Sequence, residues 1–177
     1  MSELSSSALP KPSSALFRLR RTLLAWIPTF LWVATIATFS TDLFSSAHTG
    51  QILLKIVHAI YGRISEHSFI LLHACVRKAA HFSVYGILSG LAFYSWRASL
   101  PGRLRWTFKW SGLALALTLL TASFDEFHQS FIPSRTASLQ DVLLDMMGAM
   151  FVQILIASFT STQQSRNSAH PHSTLRK

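Results

Sequence analysis

Cysteine and charged residues are both scarce in this chain of 177 residues. Cys75 is the single cysteine, which excludes an internal disulfide and a metal cluster held by several cysteines. Charged residues make up 13% of the chain and hydrophobic residues 50%, an imbalance that is unusual for a soluble globular protein. The composition therefore predicts one compact unit that is surrounded by lipid.

Acidic residues are scarcer than basic ones, and the formal net charge is +9. Proteins that bind nucleic acid also carry such a surplus, but their basic residues follow one face of the fold. Here Lys and Arg stand in short clusters beside long apolar runs, a pattern typical of membrane topology. We therefore expect the lipid bilayer as a partner, and no nucleic acid.

Four apolar runs predict an all-α fold, a bundle of four transmembrane helices. The predicted spans cover residues 23–39, 79–96, 110–124 and 142–159. The first run follows Arg18, Arg20 and Arg21, as in a signal peptide, but its length and the further spans downstream favour an uncleaved helix. The third run is short by about one turn, which Lys109 can compensate by extending its side chain to the membrane interface.

Residues 40–76, between the first two spans, are semi-polar. Lys55, His58 and Arg63 stand there among apolar residues that recur at helical spacing, namely Leu53, Ile56, Val57, Ile60 and Ile64. Because charged groups are expensive to bury in a bilayer, we expect an amphipathic helix on the membrane surface, in the first outer loop. The apolar stretch 69–76 fits either a second surface helix or an extension of the second span.

The distribution of Lys and Arg predicts the orientation of the four spans. Of the 16 basic residues, 11 lie in the segments 1–22, 97–109 and 161–177, and the other five lie on the opposite side. Since cytoplasmic segments carry the excess of Lys and Arg, both termini are predicted to be cytoplasmic. Residues 1–22 then form a cytoplasmic segment and residues 23–160 the membrane domain, while the polar tail 161–177 is expected to be disordered.

Ionisable residues gather at the non-cytoplasmic ends of three predicted spans. Lys78, His81 and Tyr85 share one face of the second span because they stand three and seven residues apart. The third span ends and the fourth begins with further polar residues: Asp125, Glu126, His128, Gln129, Asp141 and Asp145. Burial of such groups is expensive, so we expect Asp145 and His81 to pair with each other or to belong to a working site.

Residues 77–148 also carry a specific pattern of spacing. The pattern is R-K-x-x-H-F-x-x-Y, followed by D-E-F-H-Q-S-F-I-P-S-R-x-x-S-x-x-D-x-x-x-D-x-x-G. It resembles the VanZ-like family of bacterial integral membrane proteins. The resemblance implies a place in the bacterial cytoplasmic (inner) membrane, action at the cell envelope and a link to glycopeptide resistance, but neither a defined reaction nor a cofactor. It points to Lys78, His81, Tyr85, Asp125, Glu126, Gln129, Arg135, Ser138, Asp141 and Asp145.

Each of these groups has a functional and a structural interpretation. Glu126 with His81 is either a general acid–base pair or a buried pair that joins two helices. Lys78 and Arg135, with Arg77 beside them, either hold a phosphate or balance the nearby carboxylates. The remaining predicted ligand-binding residues are Tyr85, Asp125, Gln129, Asp141 and Asp145.

The same residues give less support to a metal site or to a serine nucleophile. Carboxylates and histidines are able to ligate a divalent metal, but no compact signature such as H-E-x-x-H accompanies them, and we predict no metal site. Ser138 is predicted to cap the fourth helix, because Asp141 three residues later nearly completes a capping box. No G-x-S-x-G motif marks Ser138 as a nucleophile.

Three functions are consistent with this sequence. The first is binding of a phosphorylated or amphipathic ligand, a lipid or a cell-wall precursor, in an outward-facing polar pocket, with or without acid–base chemistry. The second is a non-enzymatic structural or regulatory membrane module. The third, a proton-coupled transporter, is less favoured because the polar groups cluster at one side only. Enzyme activity, the ligand and the oligomeric state stay open.

Overall fold

The computed structural model describes residues 14–41, 46–99, 108–133 and 138–169. Within these ranges the secondary structure is α-helical and contains no β-strand. The helices are α1 (Ser14–Phe39), α2 (Ser46–Tyr61), α3 (Glu66–Ser99), α4 (Phe108–Gln129) and α5 (Leu139–Ala169). The predicted all-α class is confirmed, and several helix bounds differ from those predicted.

Two of the described helices, α1 and α5, are long and apolar enough to cross a membrane. The qualifying segments are Leu16–Phe39 and Leu139–Thr160. α1 contains Pro28, which membrane helices tolerate because neighbouring groups satisfy the freed backbone carbonyl. Helices also stand where the second and third spans were predicted, but α3 and α4 do not meet the same criterion of hydropathy. Four crossings therefore remain a prediction.

α3 is much longer than the span predicted from residue 79. It has 34 residues and a length of about 51 Å at 1.5 Å per residue. A bilayer's hydrocarbon core is only about 30 Å thick. The stretch 69–76 is thus an extension of this helix, which decides between the two alternatives that the sequence left open.

α4 and α5 also extend beyond their predicted spans. α4 continues to Gln129 and has 22 residues, which gives a length of about 33 Å. This length matches the thickness of the hydrocarbon core, for which the predicted span 110–124 alone is too short. α5 continues to Ala169, so residues 161–169 are helical where a disordered tail was predicted. The chain has no glycine or proline between Gly148 and Pro171, and nothing in that stretch breaks the helix. Residues 170–177 lie outside the described ranges.

α2 occupies the region of the predicted amphipathic helix. It is followed by Gly62, whose φ of 74° is in the left-handed region that glycine adopts without strain. Val57 is buried, whereas Ile56 and Ile60 are exposed. The apolar side chains of α2 are therefore divided between a packed face and an outward face, and its position on a membrane surface stays a prediction.

α3 lies at the centre of the bundle and contacts each of the other helices. Its Leu88 belongs to one buried apolar cluster, with Ile36, Tyr85, Ala122 and Val142. Its Phe93 belongs to a second cluster, with Ala92, Trp110 and Ala114. Because α3 supplies side chains to both clusters, its position sets the arrangement of the other helices.

Hydrogen bonds place α1 alongside α3 in antiparallel orientation. The indole N–H of Trp26 donates to Ser99 Oγ at 2.8 Å, and that of Trp32 donates to the carbonyl oxygen of Val84 at 2.9 Å. The bundle consequently has two distinct ends. At one end, which we call the polar end, α1 and α4 finish and α3 and α5 begin. At the other end, which we call the basic end, α1 and α4 begin and α3 and α5 finish.

α3 and α5 approach each other closely at Gly148. A Cβ placed on Gly148 would lie against the carbonyl oxygen of Phe82 and 2.9 Å from its carbonyl carbon. On the facing helix, a Cβ on Gly86 would lie 3.1 Å from the carbonyl oxygen of Gly148. Gly148 therefore permits a close contact between α3 and α5 that a larger residue would prevent.

Candidate functional site

Three side chains on one face of α3 each bond to a carboxylate of a neighbouring helix. Arg77, His81 and Tyr85 are spaced by four residues, which places successive side chains about 6 Å apart along that face. Their respective partners are Asp141, Asp145 and Asp125. We call these three pairs the carboxylate ladder. It joins α3 to α5 through two pairs and to α4 through the third.

The middle pair of the ladder is the most deeply buried. Nδ1 of His81 lies 3.1 Å from Oδ1 of Asp145, whose exposed fraction is 0%. Oδ2 of Asp145 is also buried and has no hydrogen-bond partner among the described residues. With Nδ1 held by a carboxylate, the ring orientation of His81 is fixed, and Nε2 is the nitrogen that a ligand can reach.

The third pair extends into a small network on α4. The hydroxyl of Tyr85 donates to Oδ2 of Asp125 at 2.9 Å, and the amide Nε2 of Gln129 donates to the same oxygen at 3.1 Å. Tyr85 and Gln129 are both almost fully buried. Asp125 is half-buried and thus remains accessible from one side.

Glu126 does not pair with His81, the partner considered from the sequence, but with the backbone of Ser138. Its Oε2 accepts the backbone N–H of Ser138 at 2.8 Å, while His81 bonds to Asp145. Adjacent residues of a helix point about 100° apart, so with Asp125 facing Tyr85, Glu126 is directed towards the start of α5. The structure therefore does not bring Glu126 and His81 together as a hydrogen-bonded pair.

Ser138 lies at the N-cap position of α5. Its Oγ accepts the backbone N–H of Gln140 at 3.1 Å, which is the bond that an N-cap side chain makes. The reciprocal half of a capping box is not formed, because the backbone N–H of Ser138 is bonded to Glu126. The side chain of Asp141 instead lies 3.6 Å from Arg77.

The predicted cationic ligand residues do not gather at the ladder. Lys78 is exposed, since it follows Arg77 by one residue and lies on a different face of α3. Arg135 lies outside the described residues. Arg77 is half-buried beside Asp141. Among the described residues, Arg77 is thus the cation positioned at the ladder.

A cavity of about 380 Å³ lies beside the ladder, between α1, α2, α3 and α4. We call it the α1–α4 cavity. Its volume is within the range of about 300–1,000 Å³ that is typical of small-molecule sites. Its polar wall includes Arg77, His81, Tyr85, Asp125 and Gln129. Its apolar wall consists of Ile36, Phe39, Leu53, Val76, Ala80 and Val84.

Sequence reasoning missed the part of this cavity formed by α1 and α2. Leu53 of α2 and Ile36 of α1 line it, and so does His73 of the α3 extension. Nε2 of His73 lies 3.4 Å from Thr49 Oγ1, which joins α2 to α3. The helical spacing of Leu53 was visible in the sequence, but nothing in it indicated the partner of that face.

The described part of the chain contains no cluster of side chains suited to bind a metal ion. No group of three or more His, Cys, Asp or Glu side chains lies close enough there to hold an ion. Of the carboxylates of the ladder, Asp145 faces a histidine, Asp125 a tyrosine and an amide, and Asp141 a guanidinium. The arrangement is therefore a set of separate pairs between helices.

The model of the VanZ/LLP1 family matches residues 22–161 of the chain. The chain belongs to the VanZ/LLP1 family. The matched region contains the whole carboxylate ladder, and it also includes the α1–α4 cavity, which reaches beyond the motif region 77–148. No curated protein and no solved structure matches the chain. Family membership together with the two apolar helices indicates a membrane protein.

Proposed function

We propose that this VanZ/LLP1 protein spans the bacterial cytoplasmic membrane four times and binds a phosphorylated amphiphile, a lipid or a lipid-linked cell-wall precursor, in the α1–α4 cavity. The proposal assigns α1, α3, α4 and α5 to the crossings and α2 to the outer surface. The family takes its name from an accessory of glycopeptide resistance. A ligand of the cell envelope is consistent with that association.

The position of α3 supports a crossing despite its lower hydropathy. Its polar residues Ser89 and Ser95 are fully buried against the neighbouring helices, so they do not face lipid. Bilayers tolerate polar side chains that face the bundle interior. For α4, Leu120 and Phe124 are exposed, which provides apolar contact with lipid.

The orientation rests on charge. Segments at the basic end carry most of the Lys and Arg residues, which favours the cytoplasm for that end and for both termini. The polar end then faces the cell envelope, and the ladder lies at the outer interface. Residues 1–22 and 161–177 belong to the cytoplasmic side in this arrangement.

The observation that carries the proposal is the mixed lining of the α1–α4 cavity. One wall offers aliphatic and aromatic side chains from three helices, as an acyl or isoprenoid chain requires. The other wall includes Arg77, whose N–H groups suit phosphate oxygens, and His81, whose Nδ1 is held by Asp145 and whose Nε2–H is available to a phosphate when the imidazole is protonated. A ligand with an apolar tail and a phosphate head matches both walls, and binding alone, without a reaction, accounts for them.

Replacement of Arg77 tests this function. For Arg77→Gln, we expect the dissociation constant for phosphatidylglycerol with a fluorescent acyl chain to rise about tenfold or more, because a charge-assisted hydrogen bond contributes about 1.5–3 kcal/mol. The measurement is fluorescence titration of the purified protein in detergent micelles. Arg63→Gln is the matched control, since Arg63 is an exposed cation that does not line the cavity. Equal affinities of the two variants would contradict the proposal.

One observation favours the second function, a non-enzymatic structural or regulatory module. Asp145 has His81 as a partner within the chain and does not line the cavity. The ladder therefore joins helices whether or not a ligand binds. A module of this kind predicts that ladder variants change the stability of the bundle while the cavity binds no phosphorylated lipid.

A further inference from the structure

The α1–α4 cavity contains hydrogen-bond acceptors that a phosphate does not satisfy. Gln129 is 2% exposed, and its Nε2 donates to Asp125. That bond fixes the orientation of the amide, so Oε1 of Gln129 is an acceptor; it is buried and has no partner among the described residues. A buried amide oxygen without a donor is unfavourable, which points to a donor supplied by a ligand.

Asp125 supplies a negative charge next to this amide. Tyr85 and Gln129 both donate to Oδ2 of Asp125, so the other carboxylate oxygen, Oδ1, is not used by either bond. Asp125 is half-buried and lines the cavity. A negative carboxylate with a neutral acceptor beside it attracts a cationic donor and repels a phosphate.

The same cavity thus has sites for both signs of charge. Arg77 and the protonated form of His81 on α3 offer donors, and Asp125 with Gln129 on α4 offers acceptors. An amphiphile with a phosphate alone would leave the α4 site unsatisfied. A headgroup that contains a phosphate and a protonated amine would satisfy both helices at once.

Resting on the proposed function, we infer that the ligand of the α1–α4 cavity is a zwitterionic amphiphile, with a phosphate held by Arg77 and His81 and a protonated primary amine held by Asp125 and Gln129. An ethanolamine phospholipid has this chemistry. A primary ammonium donates hydrogen bonds to Oδ1 of Asp125 and Oε1 of Gln129, whereas a trimethylammonium group has no N–H to donate. The site therefore discriminates between these two headgroups.

Competition between lipids with identical acyl chains tests the inference. Labelled phosphatidylethanolamine is bound to the full-length wild-type protein in micelles and displaced by unlabelled lipids. We expect phosphatidylethanolamine to displace it at concentrations about tenfold or more below those of phosphatidylcholine and phosphatidylglycerol, as charge-assisted hydrogen bonds are lost with the latter two. Equal displacement by the three lipids would overturn the inference without any variant.

Asp125→Asn tests the α4 site separately. An asparagine carbonyl oxygen can accept the bonds from Tyr85 and Gln129, so the variant removes the charge and keeps the local network. We expect it to lose the preference for phosphatidylethanolamine while phosphatidylglycerol binds at least as well as to the wild type. Glu66→Gln removes an exposed acidic charge that does not line the cavity and should keep the preference.

The outcomes separate this inference from the proposed function. If Arg77→Gln lowers the affinity for every phospholipid but a headgroup amine does not change the affinity, the inference of a zwitterionic ligand is wrong and the phosphate site stands. If Arg77→Gln changes the affinity for no phospholipid, both the proposed function and the inference of a zwitterionic ligand are wrong. Soluble phosphoethanolamine at equal concentration should not compete, because it leaves the apolar wall unfilled; full competition by it would overturn the assignment to a lipid.

Discussion

Asp145 is the residue on which the polar end of the bundle depends most. Its carboxyl is fully buried, and His81 supplies its one hydrogen bond within the described residues. In a low-dielectric interior, a carboxylate without a donor is strongly unfavourable. We therefore infer that this pair stabilises the contact between α3 and α5.

A double-mutant cycle measures that contribution. We expect Asp145→Ala and His81→Ala each to lower the free energy of unfolding, and the double variant to lose less than their sum, with a coupling of about 1–3 kcal/mol. The measurement is equilibrium unfolding by SDS in mixed micelles, followed by tryptophan fluorescence. Additive losses would show that the two side chains do not stabilise each other.

The outermost pair of the ladder provides a comparison for this cycle. Asp141 and Arg77 are 3.6 Å apart and both are partly exposed. Partly exposed ion pairs are screened by solvent, so we expect Asp141→Ala to lower the free energy of unfolding by less than about 1 kcal/mol. A loss as large as that of Asp145→Ala would mean that burial does not determine the strength of the ladder.

For single residues, the sequence predicted part of the site and part of its pairing: Lys78 was expected on the face of His81 and Tyr85, but it is exposed on another face of α3. Helical spacing and a common depth brought His81, Asp125 and Asp145 to one end of the bundle, as the structure has them. Whether His81 faces Glu126 or Asp145 depends on the rotation of each helix about its axis, which residue spacing along one helix does not determine. The acceptor role of Gln129 likewise depends on a bond between side chains.

The crossing of α3 and α5 sets the geometry of the ladder at the scale of elements. Gly148 lies directly against the backbone of Phe82, and the two ladder pairs between these helices lie within about two turns of that point. In lipid, helix association depends on close van der Waals packing, which small residues permit. A wider spacing here would separate His81 from Asp145.

Two glycine variants test this crossing. We expect Gly148→Ala to lower the free energy of unfolding by about 3 kcal/mol, the upper part of the range for overpacking, because the new Cβ meets backbone rather than a flexible side chain. Gly112→Ala in α4 is the matched control. A Cβ there meets nothing within 4 Å, so alanine should stabilise the helix by up to about 1 kcal/mol. Equal effects in SDS unfolding would contradict the packing account.

Element boundaries show where hydropathy stops being informative. Apolar runs predicted the interior of each long helix, but the helices continue through polar residues at their ends: α3 begins at Glu66, and α4 includes Glu126. Such residues lower the hydropathy of a window without breaking the helix, because none is glycine or proline. The sequence thus predicted that these helices exist and underestimated their lengths.

The whole molecule has an apolar surface between a basic end and a polar end. Large apolar side chains are exposed on several helices, among them Leu31 of α1, Phe124 of α4 and Ile154 of α5. Exposed apolar area on this scale is unusual for a soluble monomer and suits contact with lipid. In the proposed orientation the basic end is cytoplasmic. α4 is a proposed crossing that is less apolar than α1 and α5, so it needs a direct test.

Cysteine labelling at the two ends of α4 tests the central claim that the polar end faces the cell envelope. Lys109 and Ser130 are both exposed and lie about 32 Å apart along the chain axis of this helix. Each is replaced by cysteine in a Cys75→Ala background and treated with a membrane-impermeant maleimide on intact cells. We predict labelling at position 130 and none at position 109 until the cells are permeabilised. Labelling at 109 alone would turn the α1–α4 cavity towards the cytoplasm, and labelling at both would mean that α4 does not cross; either result would contradict the account.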